Sequence, residues 1–296
     1  MGGKIILADG GVKMKGSHKE MHKDYFLING KIAPAEAFDP HEITKTTSVY
    51  EVIRIIHGIP LFLEEHLERL NQSFHLLGFD FSIDKKSITQ QIHQLVEINK
   101  CYHYNLKLIV NNLKEAYPNI FLFFIESNYP SHQQYEKGIA AILYQGEREN
   151  PNAKVILKSF RQQVQEALKA ADAYEAILVD QHQQITEGSR SNIFLVKEDI
   201  LYTAPAAKVL KGVTRNRIID LCKSLKFSVV ETPISLTFLR EADGLFMTGT
   251  SPKVLPITSV DGKPYDSIRN ATIYKVQRAY DAAIENYING RIHSQS

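Results

Sequence analysis

"QITEGSRSNIF" (184–194) sets a lone carboxylate between two strand-like runs. The first run ends at Thr186, Glu187 and Gly188 follow, and Asn192 opens the next apolar run. A charge inside a strand pair is costly unless a specific partner meets it. The residues downstream continue at regular intervals: Asn192-Ile193-Phe194, Thr203, Leu210, Gly212-Val213 and Arg215. Gly212 stands just before a predicted helix, whose first free N–H groups and dipole favour an anion. Thr214 adds a hydroxyl there, and "MTGTSPKV" (247–254) offers a second Gly-Thr turn with Thr250.

The 296 residues suit one large domain or two of ordinary size. A hydrophobic fraction of 44% is enough for real cores, and a net charge of +2 advertises neither a nucleic-acid nor a membrane partner. Cys101 and Cys222 make no metal-ligand spacing and no disulfide framework, so no metal is expected and a reducing, cytoplasmic compartment is the default. No run approaches the ~18 apolar residues of a membrane span.

Residues 1–24 read as a flexible leader. "YFLINGKIAP" (25–34) predicts a hairpin turning at Asn29-Gly30, and "SVYEVIRIIHGIPLF" (48–62) a strand, a Gly-Pro turn and a second strand. Tyr50, Val52 and Arg54 then share one face. Leu63, Leu67, Leu70, Phe74 and Leu77 recur at helical spacing, and a second helix starts near Asp84. Strands are expected at 104–110, 120–125 and 138–144. The polar stretch "QGERENPNA" (145–153) reads as a linker between a smaller α/β domain (25–144) and a larger one (154–296). The larger domain is expected to hold helices at 159–171, 214–225 and 267–289 with strand pairs between them.

The long spaced pattern from Glu187 to Arg215 resembles the signature of the class IV aminotransferases, the fold type IV family of pyridoxal-phosphate enzymes. "VYEVIR" (49–54), "HLERL" (66–70), "LKSF" (157–160) and "FMTGTSPKVLPI" (246–257) resemble further parts of that family, so the likeness spans about residues 25–280. It implies a two-domain α/β (α+β) fold with pyridoxal phosphate in the interdomain cleft. It also implies amino transfer between an amino acid and a 2-oxo acid, and a homodimer.

Carried onto this chain, the resemblance makes Lys158 the Schiff-base lysine and acid/base, with Lys154 its competitor four residues earlier. The Lys158–Glu187 separation of 29 is a few residues shorter than the family's. Such a lysine needs a pKa lowered by desolvation or a neighbouring cation. Glu187 would face the pyridine nitrogen, and Arg69, Val213, Thr214 and Thr250 would hold the phosphate. Tyr50 matches an aromatic residue that lines the family's active site.

Within the family, "LIVNNLKEAYPN" (108–119) lacks the Arg-x-His of D-amino acid enzymes. Lys107 sits near the arginine that branched-chain enzymes carry on the middle strand, and Arg190 is a second candidate for a substrate anion. The alternative activity is an aminodeoxychorismate lyase releasing pyruvate and 4-aminobenzoate; Val52 stands where such lyases place a threonine.

Overall fold

Asn29 and Gly30 both adopt positive φ, 51° and 77°, which is the twist a two-residue hairpin needs. They join β1 (Tyr25–Ile28) to β2 (Lys31–Pro34). A second positive-φ pair, His57 and Gly58, turns β3 (Val49–Ile56) into β4 (Ile59–Pro60). Gly58 of the expected turn is in place, but Pro60 sits inside the short strand. The chain continues through α1 (Leu63–Leu76), α2 (Lys85–Asn99), β5 (His103–Asn111) and β6 (Asn119–Ile125). The coordinates are a computed structural model describing residues 20–115, 117–148, 151–156 and 158–295, with backbone only for 158, 159 and 293–295.

The first sheet runs β2-β1-β6-β5-β3-β4, with every neighbouring pair antiparallel. Alternation sorts its side chains. Val49, Ile53, Leu106, Leu108 and Leu122 face α1 and α2, which bury Leu67, Leu70, Phe74, Ile88 and Ile92 against them. Asp84 caps α2 by accepting the Ser87 N–H at 2.6 Å. The opposite face gathers Tyr50, Ile109, Phe121 and Phe123 with Met21 and Phe26. Glu51 therefore points toward α1, while Tyr50 and Lys107 share the other face.

The remaining elements are α3 (His132–Lys137), β7 (Ile139–Gln145), α4 (Lys158–Ala170), β8 (Glu175–Val179), β9 (Gln184–Gly188), β10 (Asn192–Lys197) and β11 (Ile200–Thr203). They are followed by α5 (Val213–Ser224), β12 (Val229–Glu231), β13 (Ile234–Ser235), α6 (Leu236–Arg240), β14 (Gly244–Gly249), β15 (Lys253–Val260), β16 (Lys263–Pro264) and α7 (Ala271–Gln295). A ten-stranded sheet runs β12-β11-β10-β14-β15-β7-β8-β9-β13, with β16 paired to β15. α5 and α7 pack on β14 and β15 through Val213, Ile218, Val276 and Tyr280.

β7 belongs to the second sheet. The sequence places this strand in the smaller unit, but it pairs in parallel with β8 and β15 of the second sheet. Its neighbours come from sequence far downstream, which local pattern does not reveal. β15, for which the sequence pattern predicts only the Gly-Thr turn at its start, is an eight-residue strand paired with β14, β7 and β16.

Candidate active site

Residues 154–156 return to the first sheet as an edge. The Tyr50 N–H donates to the Lys154 carbonyl at 3.0 Å, the Ile156 N–H donates to Ser48 O at 3.2 Å, and Val49 pairs with Val155. This backbone pairing sets the Lys154 ammonium 4.8 Å from the centre of the Tyr50 ring. Desolvation lowers the pKa of the Lys154 amine; Tyr50 and Glu51 oppose the shift, and Arg69 and Arg148 reinforce it.

Two buried carboxylates lie within electrostatic reach of that amine, each met by its own guanidinium. Glu51 accepts from Arg69 Nε at 2.7 Å and contacts His66 Nδ1 at 2.8 Å. Burial pushes Glu51 up, but Arg69 and His66 outweigh it and hold the carboxyl at about 2. Glu187 accepts from Arg148 Nε at 2.9 Å and from the Leu210 N–H at 3.1 Å. There burial wins over Arg148, and the Glu187 pKa is raised. Tyr50, 4% exposed, is ringed by cations. Burial raises its phenol, yet Lys154, Arg161, Lys107 and Arg148 together bring it to about 7.

The rest of the spaced motif builds the support. Asn192 Nδ2 donates to Leu210 O at 2.9 Å, and a Cβ on Gly212 would come 2.2 Å from Asn192 Oδ1. Thr203 Oγ1 donates to Ile193 O at 2.8 Å, and the buried Arg215 reaches Ala204 O and Glu231. The turn after Glu187 is organised by Glu175. Its carboxylate accepts from the Ser189 N–H at 3.0 Å and from the hydroxyls of Ser189 and Ser191 at 2.6 and 2.8 Å. Gly188 is small because a Cβ there would sit 2.0 Å from Ser191 Oγ.

Several residues expected from the sequence meet here. Arg69 is 8% exposed, with Glu51 lying across from it. Its Nη1 also reaches Lys211 O at 3.4 Å, next to the start of α5. Gly212 caps α5 without a side-chain hydrogen bond, so the N–H groups at Val213 and Thr214 stay available to an anion. Thr250 reaches across to Val52 O at 3.4 Å. Lys107 is buried on the Tyr50 face and forms an ion pair with Glu20. Arg190 is exposed and is not brought to this group. Lys158 opens α4, and its side chain lies outside the described residues.

Glu51, His66, Arg148 and Arg161 were not anticipated. Arg148 sits in the polar stretch read as a linker, and nothing local marks it. Lys154 carried one legible signal: it precedes Glu187 by 33 residues, against 29 for Lys158.

The donor set suits one kind of ligand: a buried amine of lowered pKa for a carbonyl, a carboxylate for a ring nitrogen, and a guanidinium with an uncapped helix start for a phosphate. Among the described residues, no group of three or more His, Cys, Asp or Glu could hold a metal ion, and no helix is long and apolar enough to cross a membrane.

Comparison with known proteins agrees with this geometry. Residues 48–260 match the family described as amino-transferase class IV. The chain is 31% identical over 230 residues to the D-alanine aminotransferase of Bacillus licheniformis, covering 74% of this chain and 81% of that protein. It is 29% identical over 295 residues to the branched-chain-amino-acid aminotransferase of Escherichia coli (strain K12), covering 87% and 92%. The fold matches the branched-chain amino acid aminotransferase from Thermobaculum terrenum in its PLP-form, with TM-score 0.78, 20% identity and coverage of 90% and 95%. With the Glu187–Arg215 motif supporting this site, the chain belongs to the class IV aminotransferases.

Proposed function

We propose that this enzyme uses pyridoxal phosphate to move an amino group between an apolar, branched-chain-like amino acid and a 2-oxo acid, with Lys154 as the lysine that holds the cofactor. The observation that carries the reading is the setting of Lys154. Its amine has a lowered pKa and sits beside the Tyr50 ring, within electrostatic reach of Arg69–Glu51 and Arg148–Glu187. That setting favours Lys154 over Lys158. A branched-chain-like substrate is supported by the branched-chain-amino-acid aminotransferases among the proteins this chain resembles.

Pyridoxal phosphate supplies an aldehyde that exchanges amines and a ring that draws electrons from the α-carbon. Lys154 Nζ, whose pKa desolvation lowers, would accept the α-proton and return it. Glu187 would hold a proton on the ring nitrogen, with Arg148 opposing the rise that burial imposes on its carboxyl. Arg69, the N–H groups at Val213 and Thr214, and the Thr250 hydroxyl would bind the phosphate.

The reading extends to a homodimer, testable by light scattering on a sizing column. It also extends to a cytoplasmic setting, which the two buried free cysteines support. The assignment is tested by borohydride reduction of the loaded enzyme and peptide mapping. The cofactor mass is expected on Lys154; finding it on Lys158 overturns the choice. A panel of L- and D-amino acids, followed by the cofactor absorbance, reads substrate and hand together.

A further inference from the structure

The aminotransferase reaction involves two substrates, and each carries a carboxylate next to the reacting carbon. Lys107 was the expected anchor for it. In the folded chain that ammonium, buried on the Tyr50 face, is already ion-paired with Glu20. A substrate carboxylate there would place two carboxylates on one ammonium. Arg69 and Arg148 are likewise matched, by Glu51 and Glu187. Arg161, in the first turns of α4, differs from all three. Among the described residues its guanidinium is met by the Tyr50 hydroxyl and by no carboxylate. The guanidinium carbon lies 5.2 Å from the centre of the Tyr50 ring, and Lys154 Nζ lies 4.8 Å from the same centre.

We infer that Arg161, with the Tyr50 hydroxyl beside it, binds the α-carboxylate of the amino-acid and 2-oxo-acid substrates, and that Lys107 does not. The inference rests on Lys154 being the cofactor lysine, since that places Arg161 and the reacting centre on one ring. A guanidinium offers five donors in a planar fork, so one bond to Tyr50 leaves donors for a two-point contact with a carboxylate. The site needs such a group because the 108–119 stretch supplies neither arginine nor histidine. The cations around Tyr50 hold its phenol at about 7, and an anion on Arg161 would offset part of that field.

The test is calorimetric titration of the holoenzyme with 4-methylpentanoate, a monocarboxylate with no amine or oxo group to react. Losing a charge-assisted contact weakens binding by roughly 10- to 100-fold. That loss is expected in Arg161→Ala and Arg161→Gln, with part of the affinity returning in Arg161→Lys. Lys107→Met is expected to bind within about threefold of the parent. Two glutamine- or alanine-substituted variants with parental far-UV spectra keep the reading independent of folding. Parental affinity in both, or a loss confined to Lys107→Met, overturns the assignment. If no amino acid changes the cofactor spectrum, the functional reading falls, while the titration still reports on Arg161.

Discussion

Tyr50 is held by Lys154 twice, through its backbone N–H on the Lys154 carbonyl at 3.0 Å and through the Lys154 ammonium 4.8 Å from its ring. One edge pairing between segments about a hundred residues apart therefore sets the environment of both groups.

The Tyr50 phenol is expected to titrate near pH 7. Difference absorbance at the phenolate band, followed from pH 5 to 9, should show one early tyrosine among the 14, absent in Tyr50→Phe. The folded pKa of about 7 lies below the ordinary 10.0, so ionisation stabilises the fold. That contribution is fully present above the unfolded value and is lost as pH falls from there through the folded one. The stability gap between parent and Tyr50→Phe in urea should therefore widen from pH 6 to pH 9. A gap that stays constant would count against an ionising Tyr50.

Glu51→Gln should destabilise strongly, because it leaves the buried Arg69 without its carboxylate. Removing one partner of a buried pair costs about 3–5 kcal/mol. Glu51 is held at about 2, below its ordinary 4.5, so the parent should lose this contribution as pH falls from about 4.5 to 2. Urea midpoints at pH 7 and pH 3 should therefore lie further apart in the parent than in the variant.

Gly188→Ala should cost roughly 1–3 kcal/mol, as overpacking does, because the new Cβ would sit 2.0 Å from Ser191 Oγ and 3.0 Å from Glu175 Oε2. Adding Ser191→Ala removes the nearer clash, so the double variant should recover part of the loss. Thermal unfolding of the three proteins decides it; additive losses would mean that the strain lies elsewhere.

Glu20→Gln should free the Lys107 ammonium without touching Arg161. A dicarboxylate such as glutarate should then bind roughly 10- to 100-fold more tightly, the scale of one contact to a charged group. The monocarboxylate should change little. Equal gains for both acids would mean that Lys107 faces the α-carboxylate after all.

Much of the architecture was legible. The Asn29-Gly30 hairpin, the leucine periodicity of α1 and the Asp84 cap of α2 are local signals, and they were readable because local backbone preference and burial agree there. The sheet that β7 joins was not legible because its partners β8 and β15 lie downstream in the sequence. The burial of Arg69 was not legible because periodicity describes one helix and not the strand packed across it.

The sequence alone determined the family. Glu187, Asn192, Thr203, Gly212 and Arg215 are spaced along one stretch, and each has a steric or hydrogen-bonding role. The tertiary structure decided which charges meet around Lys154. A lysine's pKa depends on desolvation and on the sum of nearby charges. Around Lys154 those come from β3, α1, the segment before it and β9, joined only by folding. The same holds for Lys107, whose buried charge is met by Glu20 from 87 positions away, and for Arg161, which is left facing Tyr50.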